Sequence, residues 1–233
     1  MNPEANPTAK ATGRQRSTRD RPAKAPLSVD AIVDAALAIL KAEGLEAVSM
    51  RRVAAALDTG AASLYVYVDG REGLLRAIED RITATVTLEP PDPARWREQL
   101  HALLTRMRQT LSAHPGIAAL GMADPFPSES ALRVLENLLG ILLAGGLDPQ
   151  DAAWAADVFA ALVTYAAIED EVRRIDSHEL AREISARFAQ LPPERFPLIT
   201  AHTARLVAGD SATRFSFAID VVIDGLLARN VRR

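Results

Sequence analysis

Between Ser63 and Arg71 the chain reads Ser-Leu-Tyr-Val-Tyr-Val-Asp-Gly-Arg. That run carries two phenol hydroxyls on rigid rings, a serine hydroxyl, valine methyls and a guanidinium. Such groups suit recognition of phosphates and base edges better than bond breaking. Tyr65, Tyr67 and Arg71 are candidate phosphate or base-edge contacts, and Ser63 and Val66 are candidate readers of a base edge or a thymine methyl. Ala61 and Ala62 just before them are small, so a helix N-terminus with its partial positive charge could approach the nucleic acid closely. Other chemistries find less support. Cys is absent, which removes thiol nucleophiles, disulfides and Cys-based zinc sites. The glycines fit neither a dinucleotide nor a phosphate loop, and no His-Glu-x-x-His or Gly-x-Ser-x-Gly occurs. His101, His114, His178 and His202 are dispersed. Glu169-Asp170-Glu171 reads as a solvated helix end, because consecutive residues do not share one helical face. No catalytic residue, metal or cofactor is expected.

The elements that must position these groups are short helices. Ser49 is a good N-cap, and Met50, Val53, Ala54 and Leu57 follow at helical spacing. Asp58, Thr59 and Gly60 stop that helix in a turn of about three residues. The next segment, Ala61 to Val68, turns Leu64 and Val68 inward. A longer helix from Arg71 to about Leu88 follows, with Leu74, Ile78, Ile82 and Val86 in one stripe. Ser28 caps an earlier helix through about Glu43, and Gly44 ends it. The whole reads as a helix-turn-helix whose candidate contacts are Ser49, Arg51, Gly60, Ala61, Ala62, Ser63, Tyr65, Val66, Tyr67 and Arg71. The same pattern also suits a plain helical hairpin with packed aromatics.

The stretch from Ser28 through Leu75 resembles the N-terminal domain of the tetracycline-repressor (TetR) family of bacterial transcription factors. Ser49, Arg51, Val53, Ala54 and Leu57 carry the resemblance, with Leu64-Tyr65-Val66-Tyr67-Val68 and then Arg71, Leu74 and Leu75. Asp58 stands where that family usually has a turn glycine, Gly60 where it has a capping Ser or Thr, and Arg71 where it has a phosphate-binding lysine. The first two departures bear on turn geometry and cap strength; the third keeps the charge.

Net charge is −3, and it is unevenly placed. Lys10, Arg14, Arg16, Arg19, Arg21 and Lys24 against Glu4 and Asp20 give residues 1–27 a net +4, leaving −7 for the rest. With their Pro, Ser, Thr and Arg composition, residues 1–27 read as a disordered basic arm suited to phosphate attraction or the minor groove. They lack the apolar segment of a secretory signal. The longest uncharged apolar runs, Asn137 to Leu147 and Val158 to Ile168, are eleven residues each, short of the roughly 18 needed to span a bilayer. No membrane partner is expected, and a bacterial cytoplasm fits.

Glu89-Pro90-Pro91-Asp92-Pro93 marks a boundary between a head over 28–88 and a second, helical domain over 94–233. The fold class is therefore all-α, a three-helix DNA-binding head joined to a larger helical domain. Met107, Phe126, Trp154, Phe159 and Tyr165 are the large side chains from which a cavity could be built, with His101 as a polar lining group; each also suits plain core. The last helix is apolar over much of its circumference, which points to a partner subunit across Leu162, Phe215, Val222, Ile223 and Leu226. Trp96-Arg97-Glu98, His114-Pro115-Gly116, the Gly-Leu-Asp-Pro-Gln-Asp-Ala run at 146–152 and Arg214-Phe215-x-Phe217 resemble the ligand-binding and dimerisation domain of the same family. Alignment through Gly116 and Pro125 puts Leu120 at a metal-coordinating histidine of the tetracycline repressor, so magnesium-tetracycline is not the implied ligand. The resemblance implies a homodimeric repressor that binds double-stranded operator DNA and leaves it when a small-molecule effector enters the second domain. A helical enzyme using the second domain's pocket and an effector-independent DNA binder are the rival readings.

Overall fold

Serine hydroxyls start three helices: Ser28 accepts from the Ala31 N–H at 3.1 Å, Ser49 from Arg52 at 3.4 Å and Ser128 from Ala131 at 3.2 Å. The computed structural model describes residues 26–123, 127–172 and 177–230. Among the described residues every element is helical, in the order α1 (Val29–Glu43), a 3-10 turn (Leu45–Ala47), α2 (Met50–Ala56), α3 (Ala61–Leu64), α4 (Gly70–Thr83), α5 (Trp96–Ser112), α6 (Ile117–Ala123), α7 (Glu129–Ala144), α8 (Pro149–Val172), α9 (Ser177–Ala189), α10 (Pro197–Leu206) and α11 (Ser211–Asn230). The arm lies outside the described residues, except that Leu27 packs on the head.

Two apolar clusters organise the chain. In the head, α1 to α4 bury Ile32, Ala36, Val53, Leu64, Leu74 and Ile78 completely. Ile117 of α6 joins that cluster, so the body reaches into the head. In the body, Leu100, Leu103 and Leu104 of α5 meet Ile141 and Leu142 of α7, Phe159 of α8 and Ile219 of α11. These follow the i, i+3, i+4 rows that an amphipathic helix turns to its core.

Helix α4 stops at Thr83 rather than near Leu88. The following Ala-Thr-Val-Thr run is β-branched, which weakens helix, and the Thr85 hydroxyl donates to the Ile82 carbonyl at 2.6 Å, closing the end. Val86 still reaches the body core. The proline-rich connector beyond it is held by side chains: Gln99 donates to the Pro90 carbonyl at 2.8 Å and accepts the Asp92 N–H at 2.7 Å, and Asn137 donates to the Glu89 carbonyl at 2.8 Å. A backbone rich in proline is short of donors, so polar side chains from α5 and α7 complete its hydrogen bonding.

The acidic run at the end of α8 is not the solvated helix end that its sequence suggests. Arg108, 8% exposed, forks onto Asp170 at 2.6 and 2.8 Å, donates to the Ser211 hydroxyl at 2.8 Å and lies 5.0 Å over the Phe215 ring. A buried guanidinium is tolerable because the bidentate partner and further acceptors meet it together. One ion pair thus ties α5, α8 and the start of α11. The next residue, Glu171, accepts the Gly116 N–H at 3.2 Å to each carboxylate oxygen. Gly116 has φ +86 and a Cβ there would fall 2.8 Å from Leu45 of the head, so this turn admits only glycine without displacement.

Helices α9 and α10 pair with each other, and no described residue of either is buried. Helix α8 is long and apolar enough, by length and composition, to cross a bilayer. Its apolar circumference is divided among three surroundings described below.

Candidate nucleic-acid interface and its neighbouring cavity

The recognition segment begins at Gly60, which caps α3 without a side-chain bond. Asp58 before it takes φ +50, the left-handed conformation for which glycine is the usual residue and which Asp tolerates better than most. The turn geometry is therefore met without the family's glycine. α3 is shorter than expected: it is helical to Leu64, and residues 65–67 form a turn in which the Tyr67 and Val68 N–H groups donate to the Leu64 carbonyl at 2.9 and 3.1 Å. The aromatic and β-branched Tyr-Val-Tyr-Val run and the following Asp69-Gly70, with Gly70 at φ +62, explain the early end.

Leu64 and Val68 anchor this segment in the core while Tyr65, Val66 and Tyr67 are 60%, 83% and 40% exposed. Arg51, Ala62, Ser63 and Arg71 are exposed beside them, and Ala61 is half-buried against the head core. The Arg71 Nε donates to the Val48 carbonyl at 3.2 Å, which fixes the stem and presents the rest of the fork outward. Ser49 is half-buried and occupied as the α2 cap. Arg52, absent from the expected contacts, donates to the Glu43 carboxylate from both terminal guanidinium nitrogens. That hydrogen-bonded pairing holds the Glu43 carboxyl below the usual carboxylate range. The tyrosine ring surfaces are exposed outside a complete core, so the plain-hairpin alternative, with its aromatics packed away, does not describe them.

Above the head, α4, α5, α6, α7 and α8 line a half-open cavity of about 450 Å³. Its walls include Leu104, Met107, Val134 and Leu138; its polar lining is Glu79 and Thr83 of α4, Thr110 of α5, and Asp157 and Thr164 of α8. Of the six candidates read from sequence, Met107 is the one placed in this wall. Phe126 lies outside the described residues. Phe159 is wholly buried in the body core. The Nε2 of His101 lies 2.9 Å from Asp220 on α11, away from the cavity lining. Trp154 and Tyr165 are 56% and 65% exposed, on another face of α8. The reason is geometric: large side chains fill space, and the cavity exists where α8 offers Ala156, Ala160 and Ala161. The spacing Asp157, Ala160, Ala161, Thr164 was a legible stripe of small and polar residues on an apolar helix.

Three consecutive charged residues of α4 look in three directions, as successive helical positions must at about 100° each. Glu79 lines the cavity and accepts from the Thr83 hydroxyl at 2.9 Å. Asp80 accepts the Ser130 N–H at 2.9 Å at the start of α7. Burial pushes the Asp80 carboxyl up, but the hydrogen bonds from Ser130 and Ser128 outweigh it and hold the group below the usual range. Arg81 pairs with Asp30 and Asp34 of α1 in the head, the latter at 3.0 Å.

Of the expected dimer residues, two belong to the chain's own core. Phe215 and Ile223 are 5% and 1% exposed within the chain's own body core, and Leu162, Val222 and Leu226 are half-buried against it. Left outside are Trp154, Val158 and Tyr165 on α8 and Phe217 and Val221 on α11, all between 48% and 69% exposed. Both helices are apolar over much of their circumference, so the pattern does not say which stripe meets which neighbour.

Comparisons with known proteins agree with this division. The family model "Bacterial regulatory proteins, tetR family" matches residues 32–78, and "Tetracyclin repressor-like, C-terminal domain" matches residues 89–230. The chain is 30% identical over 226 residues to the HTH-type transcriptional repressor DrrR1 of Streptomyces coeruleorubidus, covering 92% of this chain and 82% of that protein. It is 28% identical over 183 residues to an HTH-type transcriptional regulator of Saccharopolyspora erythraea, covering 76% of each. Among solved structures it superposes on the Streptomyces coelicolor TetR family protein ActR in complex with actinorhodin with a TM-score of 0.81, at 34% identity, over 88% of this chain and 97% of that one.

Proposed function

This chain belongs to the tetracycline-repressor family of bacterial transcriptional regulators, and on that premise we propose that it acts in the cytoplasm as a homodimeric repressor whose effector enters the cavity of about 450 Å³. The observation that carries this reading is the Glu79-Asp80-Arg81 run of α4, which touches cavity, body and DNA-binding head from one rigid helix. A ligand in contact with Glu79 and Thr83 bears on the same helix that Arg81 fixes to α1. It therefore favours one head orientation over another, and release of DNA is a shift of population between them.

In this reading Tyr65, Tyr67 and Arg71 engage phosphates, Ser63 and Val66 face base edges, and the Lys10 to Lys24 arm adds sequence-independent attraction. The exposed stripes of α8 and α11 join across a twofold axis, setting two recognition segments about 34–36 Å apart on successive major grooves. The complex of ActR with actinorhodin supports a small-molecule effector. His101, held by Asp220 outside the cavity lining, leaves the enzymatic alternative without its acid–base pair at the cavity. The presence of a cavity where an effector-independent binder needs none favours the ligand-responsive form.

The test is selection of bound genomic fragments, followed by titration of the complex with small molecules in the parent and in Ala160→Trp, which fills the cavity. Release of the parent but not of Ala160→Trp, with equal operator affinity beforehand, is the expected result. Equal release of both rejects the cavity as effector site.

A further inference from the structure

We infer that the cavity selects a hydrophobic cation, an aromatic or polycyclic molecule carrying at least one positively charged nitrogen or equivalent centre. This rests on the reading of the cavity as the effector site and adds the charge of the ligand to it.

The cavity is lined by two carboxylates, Glu79 and Asp157, and by no Lys, Arg or His among the described residues. Several other acids of the body are paired: Asp170 with Arg108 at 2.6 Å, Asp224 with Arg97 at 2.9 Å, Glu89 with Arg106 at 3.1 Å and Asp220 with His101 at 2.9 Å. Glu79 instead has a hydroxyl, that of Thr83 at 2.9 Å, and neither it nor Asp157 has an ion-pair partner among the described residues. The rest of the wall is methyl and methylene, from residues such as Val86, Leu104, Val134 and Leu138, with three threonine hydroxyls between.

Three kinds of ligand can be compared on that surface. An anion would meet two like charges, the half-buried Glu79 and the exposed Asp157, beside an apolar wall. A neutral apolar ligand would displace water from the half-buried Glu79 and give nothing in return, leaving a charged acceptor unmet. A hydrophobic cation supplies the missing counter-charge to both while its aromatic surface covers the aliphatic wall. Glu79 and Asp157 come from α4 and α8, so a cation between them would draw the head-bearing helix toward the body's long helix. The threonines offer hydroxyls that accept from an N–H of such a ligand or donate to its carbonyls.

The test uses full-length protein and two ions of the same size and shape but opposite charge, tetraphenylphosphonium and tetraphenylborate, with binding read by calorimetry. The cation should bind at least about tenfold more tightly than the anion. Glu79→Gln and Asp157→Asn should each remove part of that preference, the double variant should bring the two ions to parity, and Glu79→Asp should keep it. Thermal melting of each unliganded variant at the parent temperature separates loss of charge from loss of fold. Equal or tighter binding of the anion, or a cation preference that survives the double substitution, overturns the inference while leaving the cavity reading intact. Binding of both ions to Ala160→Trp as to the parent overturns the cavity reading itself, and binding of neither ion to the parent overturns both.

Discussion

The head and the body both expose aromatic side chains, and the two sets have opposite causes. In the head, Tyr65 and Tyr67 flank an anchored segment whose neighbours Leu64 and Val68 are 0% and 7% exposed; the core is complete and the phenols are surplus to it. In the body, Trp154, Tyr165 and Phe217 sit on helices whose inner faces are equally apolar, so the same core continues outward and stops at solvent. In the proposed reading the phenols beside an arginine face DNA, and the stripe of Trp, Val, Tyr and Phe on two long helices is one half of a dimer interface.

The sharpest way to break that contrast is to charge the body stripe. Phe217→Glu with Val221→Glu, both at exposed positions, should leave a folded protomer. Dimer should be lost at micromolar concentration by light scattering, and operator affinity should fall about a hundredfold or more, since two heads no longer act as one ligand. If the variant remains dimeric, the exposed stripes are not the interface.

A smaller loss is expected where the regions meet. Gly116→Ala places a Cβ 2.8 Å from Leu45 at φ +86 and should cost about 2 kcal/mol in denaturant unfolding. Gly146→Ala, at φ +79 but with nothing within 4 Å, should cost about half as much. Equal costs would mean that backbone conformation, and not the head contact, sets the glycine requirement.

On the head alone, Arg71→Ala should weaken operator and unrelated DNA alike and lower the salt slope by about 0.9, while Ser63→Ala should change which sequences are preferred. A parent-like salt slope for Arg71→Ala would refute the phosphate assignment. The Asp80 contact between α4 and α7 gives a pH signature. Its folded carboxyl lies below the usual range, so its stabilisation is present above about pH 4 and is lost as pH falls through the depressed folded value. Asp80→Asn should flatten acid unfolding in that window, and an unchanged acid limb would show the contact to be energetically idle. The smallest effect is expected for Asp58→Gly, which relieves the left-handed φ of +50 and should gain a few tenths to about 1 kcal/mol. Asp58 has an interaction of its own to lose, and a net loss of stability would show that this interaction outweighs the backbone.

Local signals in the chain determined the head almost completely. Ser28 and Ser49 cap where side-chain chemistry says they must, Leu64 and Val68 turn inward at i, i+4, and the tyrosines between them are left outside because the turn after α3 is anchored in the core at both ends by Leu64 and Val68. The length of α3 and the end of α4 were less legible, since β-branched runs weaken a helix without marking its last residue. In the body, composition and periodicity determined that long apolar helices exist and that prolines separate them. They did not determine which stripe of α8 meets the core, which meets the cavity and which stays outside. Trp154 and Tyr165 were expected in a pocket and are exposed, while Phe215 and Ile223 were expected at an interface and are buried in the body core. A helix apolar over much of its circumference carries little phase, and its orientation is set by the volumes of the helices packed against it. The same packing brings Glu79 of α4 and Asp157 of α8 to one cavity, a pairing of residues 78 positions apart that no local rule contains.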